Sequence, residues 1–282
     1  MESLHVNFGC IISIILLAAC AGSSLAAQYG EPKDVAFKAR IDGTTQRYVL
    51  MMPERFDAAK PHHLLIALHG HGSDRWQMAT DPRVECRGMR DVPAKYGMIF
   101  VSPDYRAATS WMGPKAEADV LQIIKDLRKQ FNVAKVFLVG GSMGGTGALT
   151  FAALHPGELA GVCAINPHAN LLEYQGFQDA IVASFGGSKT QIPEEYKKRS
   201  AEYWPERFTM PVSIVVGGKD TIVPPESAMR LASILKLLGR KILLIDRLEM
   251  DHSATYEDTT AALEFVVSTA LGPEAGPAAS AK

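Results

Sequence analysis

Short, unbroken apolar runs constrain this chain more than any other feature. They are "LLIAL" at 64–68, "MIFVS" at 98–102, "KVFLV" at 135–139, "AGVCAI" at 160–165, "VSIVV" at 212–216 and "KILLID" at 241–246. A strand with one wet face alternates apolar and polar residues. A continuous apolar run suits a strand buried on both faces, as in a parallel sheet covered by helices. Two further strands are expected at 35–41 and 46–52, joined by the hairpin signal "DGTT". That makes eight candidate strands.

Helical periodicity fills the intervals. In 115–131, Val120, Ile123, Ile124, Leu127 and Phe131 fall on one face. In 226–239, Ala228, Leu231, Ala232, Leu235 and Leu238 do the same, and Gly239 supplies a stop. A helix from Ser142 to His155 ends at Pro156, and 255–269 reads as the last helix. The expected class is α/β: a mostly parallel sheet of about eight strands flanked by helices. Residues 168–210, after the sixth strand, break the alternation. They hold Tyr174, Phe177, Phe185, Tyr196, Tyr203 and Trp204 among Gly, Pro and charges. Such an insertion is either a pocket wall at the sheet edge or a packed surface excursion.

The length of 282 residues fits one large domain, expected over 35–271. A net charge of -1 with 21% charged residues, and no basic patch, argues against a nucleic-acid partner. Ile11 to Ala19 is too short to span a bilayer and has the length of a signal-peptide core, so residues 1–27 are expected to be an export leader. "SLA" before Ala27 suits ordinary cleavage. "LAAC" ending at Cys20 resembles a lipobox, with membrane attachment through a lipidated cysteine as its consequence. The segment before the run has no Lys or Arg, against both readings. Export places the chain outside the cell, in the periplasm or on the envelope. Of four cysteines, Cys10 and Cys20 lie in the leader, and Cys86 and Cys163 are too few for a disulfide framework. Residues 272–282 are expected to be a disordered tail.

Chemistry is suggested by "VGGSMGGT" at 139–146. In a chain with 24 glycines, G-x-S-x-G arises by chance in roughly one case in ten, so its context decides. Ser142 directly follows a buried strand and directly precedes a helix, the setting a nucleophile elbow requires. The crowded turn needs residues without Cβ, and Gly140, Gly141, Gly144 and Gly145 supply them. A serine needs a base and a group to orient it. Asp220 follows the strand at 212–216, and His252 follows the one at 241–246, both at the sheet edge that carries Ser142. Asp251 and Asp246 are poorer orienting acids, one aimed elsewhere and one still in its strand.

An oxyanion needs two backbone donors. One is expected from Met143 and the other from His71 or Gly72, in the loop "HGHGSD" after "LLIAL". His69 reads as a structural histidine beneath that loop. Tyr105 and Trp111, with Arg106, follow the fourth strand, and Asn166 and His168 follow the sixth, so all are placed near the pocket. Trp111 either stacks on a substrate ring or packs in the core. A rival reading takes His69, His71 and Asp74 as part of a zinc signature. It fails because Asp74 falls one place late and is followed by Arg75, so no metal is expected.

Across roughly residues 35–270 the chain resembles the α/β-hydrolases. "HGHGS", "GGSMGG", "GGKDTIVPP" and "DH" stand in that order. Within the fold it is similar to secreted feruloyl and acetylxylan esterases, to polyhydroxybutyrate-depolymerase-like proteins and to the catalytic domain of prolyl-oligopeptidase-like peptidases. "SPDYR", "EADV" and "GGSMGG" resemble the last group, although Met143 stands where a tyrosine is usual and no glycine follows Arg106. The resemblance implies acyl transfer through Ser142, His252 and Asp220, with no cofactor. Some thirty exported residues before the first strand leave no room for a propeller, which favours an esterase acting on a small-molecule or polymer-borne ester. The alternatives are a peptidase and a non-catalytic binding module.

Overall fold

The computed structural model describes residues 29–273. The leader expected over 1–27, with Cys20, lies outside the described residues, as does the tail beyond 273. Eight strands form one sheet: β1 (Lys33–Lys38), β2 (Thr45–Met51), β3 (His62–Leu68), β4 (Ile99–Pro103), β5 (Val133–Gly141), β6 (Gly161–Ile165), β7 (Val212–Gly217) and β8 (Ile242–Arg247). Their order is β1-β2-β4-β3-β5-β6-β7-β8. β2 pairs antiparallel with both β1 and β4, and every pairing from β4 through β3 to β8 is parallel. Each expected strand is present.

The hairpin signal acts as its chemistry requires. Gly43 adopts a φ of 70°, its N–H donates to Ala39, and Lys38 pairs with Thr45.

Two cores lie on opposite faces of the sheet. On β3, Leu64, Ile66 and Leu68 face one, with α3 (Pro114–Gln130), α4 (Met143–Leu154) and α7 (Glu226–Leu237) packed over them. Leu65 and Ala67 face the other, beneath α1 (Trp76–Thr80), α2 (Val84–Lys95) and α8 (Tyr256–Leu271). This two-sided burial is why the strands lack polar alternation. The four expected helices are present. Gly239 ends α7 in the left-handed conformation at φ 68°, and the Thr255 side chain caps α8 by accepting from the Asp258 N–H.

The α2 helix was hidden in the sequence by Gly88 and Pro93, residues that argue against a helix interior. Gly88 is there for packing: a Cβ would come within 3.1 Å of the Thr259 side chain on α8. Residues 168–210 turn out to be both things expected of them. Tyr174, Phe185 and Tyr196 are core, while α5 (Gln178–Phe185) begins at an exposed Phe177 and α6 (Pro193–Arg199) carries the buried Arg199. Cys86 and Cys163 are free and fully buried, and burial pushes both thiols up to about 12.

Candidate functional site

Ser142 stands alone between the end of β5 and the start of α4, at φ 58° and ψ -121°. An L residue rarely adopts that backbone, and it persists only where surrounding contacts hold it. Here the Ser142 N–H donates to the Ile165 carbonyl at 2.8 Å, and its own carbonyl accepts from Thr146 at 2.9 Å. The flanking glycines make the approach possible. A Cβ on Gly140 would sit 2.2 Å from the Gly144 carbonyl oxygen, and one on Gly144 would sit 2.2 Å from that of Leu68. The glycines therefore lock the turn.

Asp220 follows β7 in a tight loop and is 5% exposed. Its Oδ1 accepts from the Ile222 and Val223 N–H groups, both at 2.9 Å, which fixes the carboxylate plane. Its Oδ2 lies 2.5 Å from His252 Nδ1, so Nδ1 carries the proton and donates. His252 Nε2 is then the acceptor, 2.8 Å from Ser142 Oγ. Of the rival acids, Asp251 accepts instead from the Ser253 hydroxyl, and Asp246 pairs with Val216 within the sheet.

The loop bearing His252 is tied down on two sides. Gly218 donates to Arg247 and Lys219 to Met250, both at 2.9 Å, and Gly217 passes so close to Asp251 that a Cβ would sit 2.0 Å from its carbonyl oxygen. From β6, Asn166 donates to the Ser253 carbonyl at 3.0 Å.

The loop after β3 is shaped from outside. Gly70 donates to the Gln77 side chain at 2.7 Å, and Gly72, at φ 79°, donates to Ala108 at 2.8 Å. That bond removes Gly72 from the two expected oxyanion donors. The amides of His71 and Met143 have no acceptor among the described residues. His69 is fully buried, with Nδ1 2.8 Å from the Gly70 carbonyl and Nε2 3.3 Å from that of Asp104. It braces the loop, and burial holds its basicity below the ordinary value. The histidine pair that resembled a zinc signature is thus divided, since His71 Nδ1 faces Trp111.

The four residues expected to line the pocket sit at the correct edge but below its surface. Tyr105 is buried and donates to the His69 carbonyl at 2.6 Å. Trp111 has no exposed surface; its indole donates to His71 Nδ1 at 3.1 Å and packs against Tyr174 and Phe177. It is therefore not free to stack on a substrate. His168 is buried against Tyr174, accepts from the Asn170 N–H, and is pushed down to about 4 by burial. Asn166, at φ 46°, holds the His252 loop. Arg106 turns away to pair with Asp42 and Asp119. These side chains support the site from beneath: Tyr105 and Asn166 donate to loop carbonyls, Trp111 donates to His71, and His168 accepts from a backbone N–H.

A cavity of about 370 Å³ adjoins the loop, lined by His71, Phe177, Gln178, Asp179 and Ala180. Gln77 and Asp179 carried no signal in the sequence; Phe177 was one of several aromatic residues in the insertion. A larger cavity of about 530 Å³ between α3 and α6 shares none of these residues. Among the described residues, no group of three or more His, Cys, Asp and Glu side chains is placed to hold a metal ion.

The family model described as the prolyl oligopeptidase family matches residues 94–268, more than half of the chain. Among curated proteins, the chain is 27% identical to a "Probable feruloyl esterase C" of Aspergillus flavus over 166 residues, 55% of this chain and 61% of that one. It is 26% identical to "Feruloyl esterase C" of Emericella nidulans over 125 residues, 43% and 46% of the two chains. The matches thus span about half of these relatives. Among solved structures, a ferulic acid esterase of Anaeromyces mucronatus in complex with ferulic acid superposes with a TM-score of 0.63 at 15% identity, covering 88% of this chain and 94% of that one.

Proposed function

The chain belongs to the prolyl oligopeptidase family and has the α/β-hydrolase fold of the serine hydrolases, and from that premise we propose that it hydrolyses carboxylic esters through an acyl-enzyme on Ser142. One observation carries the reading: Ser142 Oγ, both nitrogens of His252 and Asp220 Oδ2 form a continuous hydrogen-bonded chain.

In the first step His252 Nε2 takes the hydroxyl proton while Oγ attacks the ester carbonyl carbon. Asp220 holds Nδ1–H and stabilises the imidazolium. The carbonyl oxygen, now an anion, accepts from the amides of Met143 and His71; one such donor is worth about 10²–10³ in kcat. The intermediate collapses, the carbon–oxygen bond to the alcohol breaks, and His252 returns the proton to that oxygen. Water then repeats the sequence and frees the acid.

The feruloyl esterase relatives favour an ester as substrate, and the family match keeps a peptide bond as the second reading. With a peptide, the imidazolium must protonate a far more basic leaving amine. The test is a fluorophosphonate probe with p-nitrophenyl acetate and a matched anilide. Labelling at Ser142, lost in Ser142→Ala, with ester turnover well above amide turnover, is the expected result. No labelling and no turnover would sink the reading, and preference for the amide would replace it by a peptidase. Export through residues 1–27 is part of the proposal, and a Cys20→Ser chain lost from the membrane fraction would identify lipid attachment.

A further inference from the structure

The two ends of the sheet are protected differently. β1 carries exposed Lys33, Asp34 and Lys38, the kind of charges that keep an edge strand from pairing with another chain. β8, at the opposite end, reads Ile-Leu-Leu-Ile over 242–245, with no charge, proline or bulge in the run. All four of these residues remain half-buried. Beyond the strand at one end, Leu237 is 87% exposed and Leu238 48%; beyond the other end, Leu248 is 70% exposed.

The outward backbone of β8 is free as well. Val212 donates to the Lys241 carbonyl at 2.8 Å and Gly218 to that of Arg247 at 2.9 Å. Odd-numbered residues of the strand therefore turn their backbone groups to β7, and Ile242, Leu244 and Asp246 turn theirs outward, because the direction alternates along a strand. These three amides have no acceptor among the described residues. Opposite charges flank the run. Arg240 gives Nη2 to the Glu206 carbonyl at 2.9 Å but leaves Nε unpaired, and Asp246 leaves Oδ1 unpaired. Neither residue has an ion-pair partner among the described residues.

We propose that β8 pairs antiparallel with β8 of a second copy of this chain, about a twofold axis at Leu243, joining the two sheets into one. In that register Ile242 of one copy exchanges backbone hydrogen bonds with Leu244 of the other, and Arg240 comes opposite Asp246. Past the strand ends, Leu238 comes toward Leu248. Each contact occurs twice, because a twofold interface is made of the same patch on both copies. An axis at Leu244 would set Ile242 against Asp246 and Lys241 against Arg247, and one at Ile242 would set Arg240 against Leu244. The Leu243 register alone puts the two unpaired charges opposite each other and keeps like charges from facing directly. The pairing is independent of the chemistry at Ser142.

The test is sedentation-free of any ligand and uses the full chain. Sedimentation equilibrium is expected to show twice the mass of one chain at micromolar concentration. Asp246→Arg sets like charges face to face and should weaken the dimer at least tenfold. Adding Arg240→Asp exchanges the two charges and should restore it, which a merely structural defect would not allow. Leu248→Lys, at an exposed position, should also weaken it, with circular dichroism unchanged. In Leu243→Cys the two introduced thiols meet across the axis at a pair without backbone hydrogen bonds, where side chains lie closest, and mild oxidation should join them. Peptide mapping should find position 243 linked to its own copy. A single-chain mass up to roughly 100 µM overturns the proposal, whether the edge is left bare or covered by another segment of the chain. A dimer that is indifferent to Asp246→Arg, or that forms no link at position 243, uses another surface and overturns it equally.

Discussion

Asn166 reaches from the end of β6 to the chain just beyond His252, donating from Nδ2 to the Ser253 carbonyl at 3.0 Å. The imidazole must meet Ser142 Oγ on one side and Asp220 on the other, and this bond holds its loop in that position. Asn166→Gly keeps the backbone at its φ of 46° and removes only the amide. It is expected to lower kcat for p-nitrophenyl acetate about fivefold, a loss of about 1 kcal/mol of positioning, with KM changed less. Steady-state kinetics checks this, and an unchanged kcat would show that the loop keeps its place without the bond.

The glycines of the turn make a steric prediction. Gly144→Ala drives a methyl against the Leu68 carbonyl oxygen, which lies 2.2 Å from the new Cβ position. A loss of about 2–4 kcal/mol in chemical denaturation is expected, with fluorophosphonate labelling lost as the turn shifts. Gly157→Ala meets nothing within 4 Å and is the control; its stability should stay within about 0.5 kcal/mol of the parent.

His168 makes the chain sensitive to mild acid. Burial lowers its pKa to about 4 in the folded protein, against 6.5 for an ordinary histidine. As pH falls between these values the unfolded chain takes up a proton and the folded chain does not, so stability is lost on acidification. The contribution is intact above the unfolded value and lost as pH falls through the folded one. Between about pH 7 and about pH 4.5 the loss attributable to this residue is about 2 kcal/mol. His168→Gln, compared with the parent by urea denaturation at both pH values, should lose correspondingly less. Equal acid losses in the two chains would contradict the assignment.

Arg199 is the buried cation of the insertion. Its Nη1 donates to the Met112 carbonyl, Nη2 to Glu117 and Nε to Glu195, each at 2.7 Å. Burial alone would raise the Glu117 pKa, but His155 and Arg199 outweigh it and hold the carboxyl at about 2. Arg199→Met leaves that carboxylate and the Met112 carbonyl without this partner, and about 3 kcal/mol of stability or more should be lost. The double variant Arg199→Met, Glu117→Leu should recover part of it, because a removed pair costs less than a broken one. Denaturation of both variants decides the matter.

These residues also show how far a sequence carries. The sheet was readable because Leu64–Leu68 or Val136–Val139 are covered on both faces and so lose polar alternation. The Ser142, Asp220 and His252 constellation was readable for a related reason: in a parallel sheet every strand end is delivered to one edge, so position in sequence becomes position in space. Depth below that edge was not readable. Tyr105, Trp111, Asn166 and His168 were placed at the correct edge, yet each is bonded to or packed beneath a loop. Choosing His71 over Gly72 required the Ala108 carbonyl, a contact between loops that no local pattern encodes. The α2 helix escaped notice because Gly88 serves contact with α8 at the expense of helix propensity.

The sheet order has one more consequence, in time and not in space. Ser142 Oγ and His252 Nε2 are 110 residues apart in the chain, and β8, which delivers the histidine, is an edge strand and the last strand to be made. A chain emerging in sequence can close the strained turn at Ser142 once β3, β5, β6 and α4 are present, but its serine then has no base. The hydroxyl gains its acceptor only when β8 docks on β7, so on the proposed reading, reactivity toward a phosphonate is expected only once the sheet is complete. If Ser142 is the proposed nucleophile, a growing chain carries no activated serine until its fold is closed.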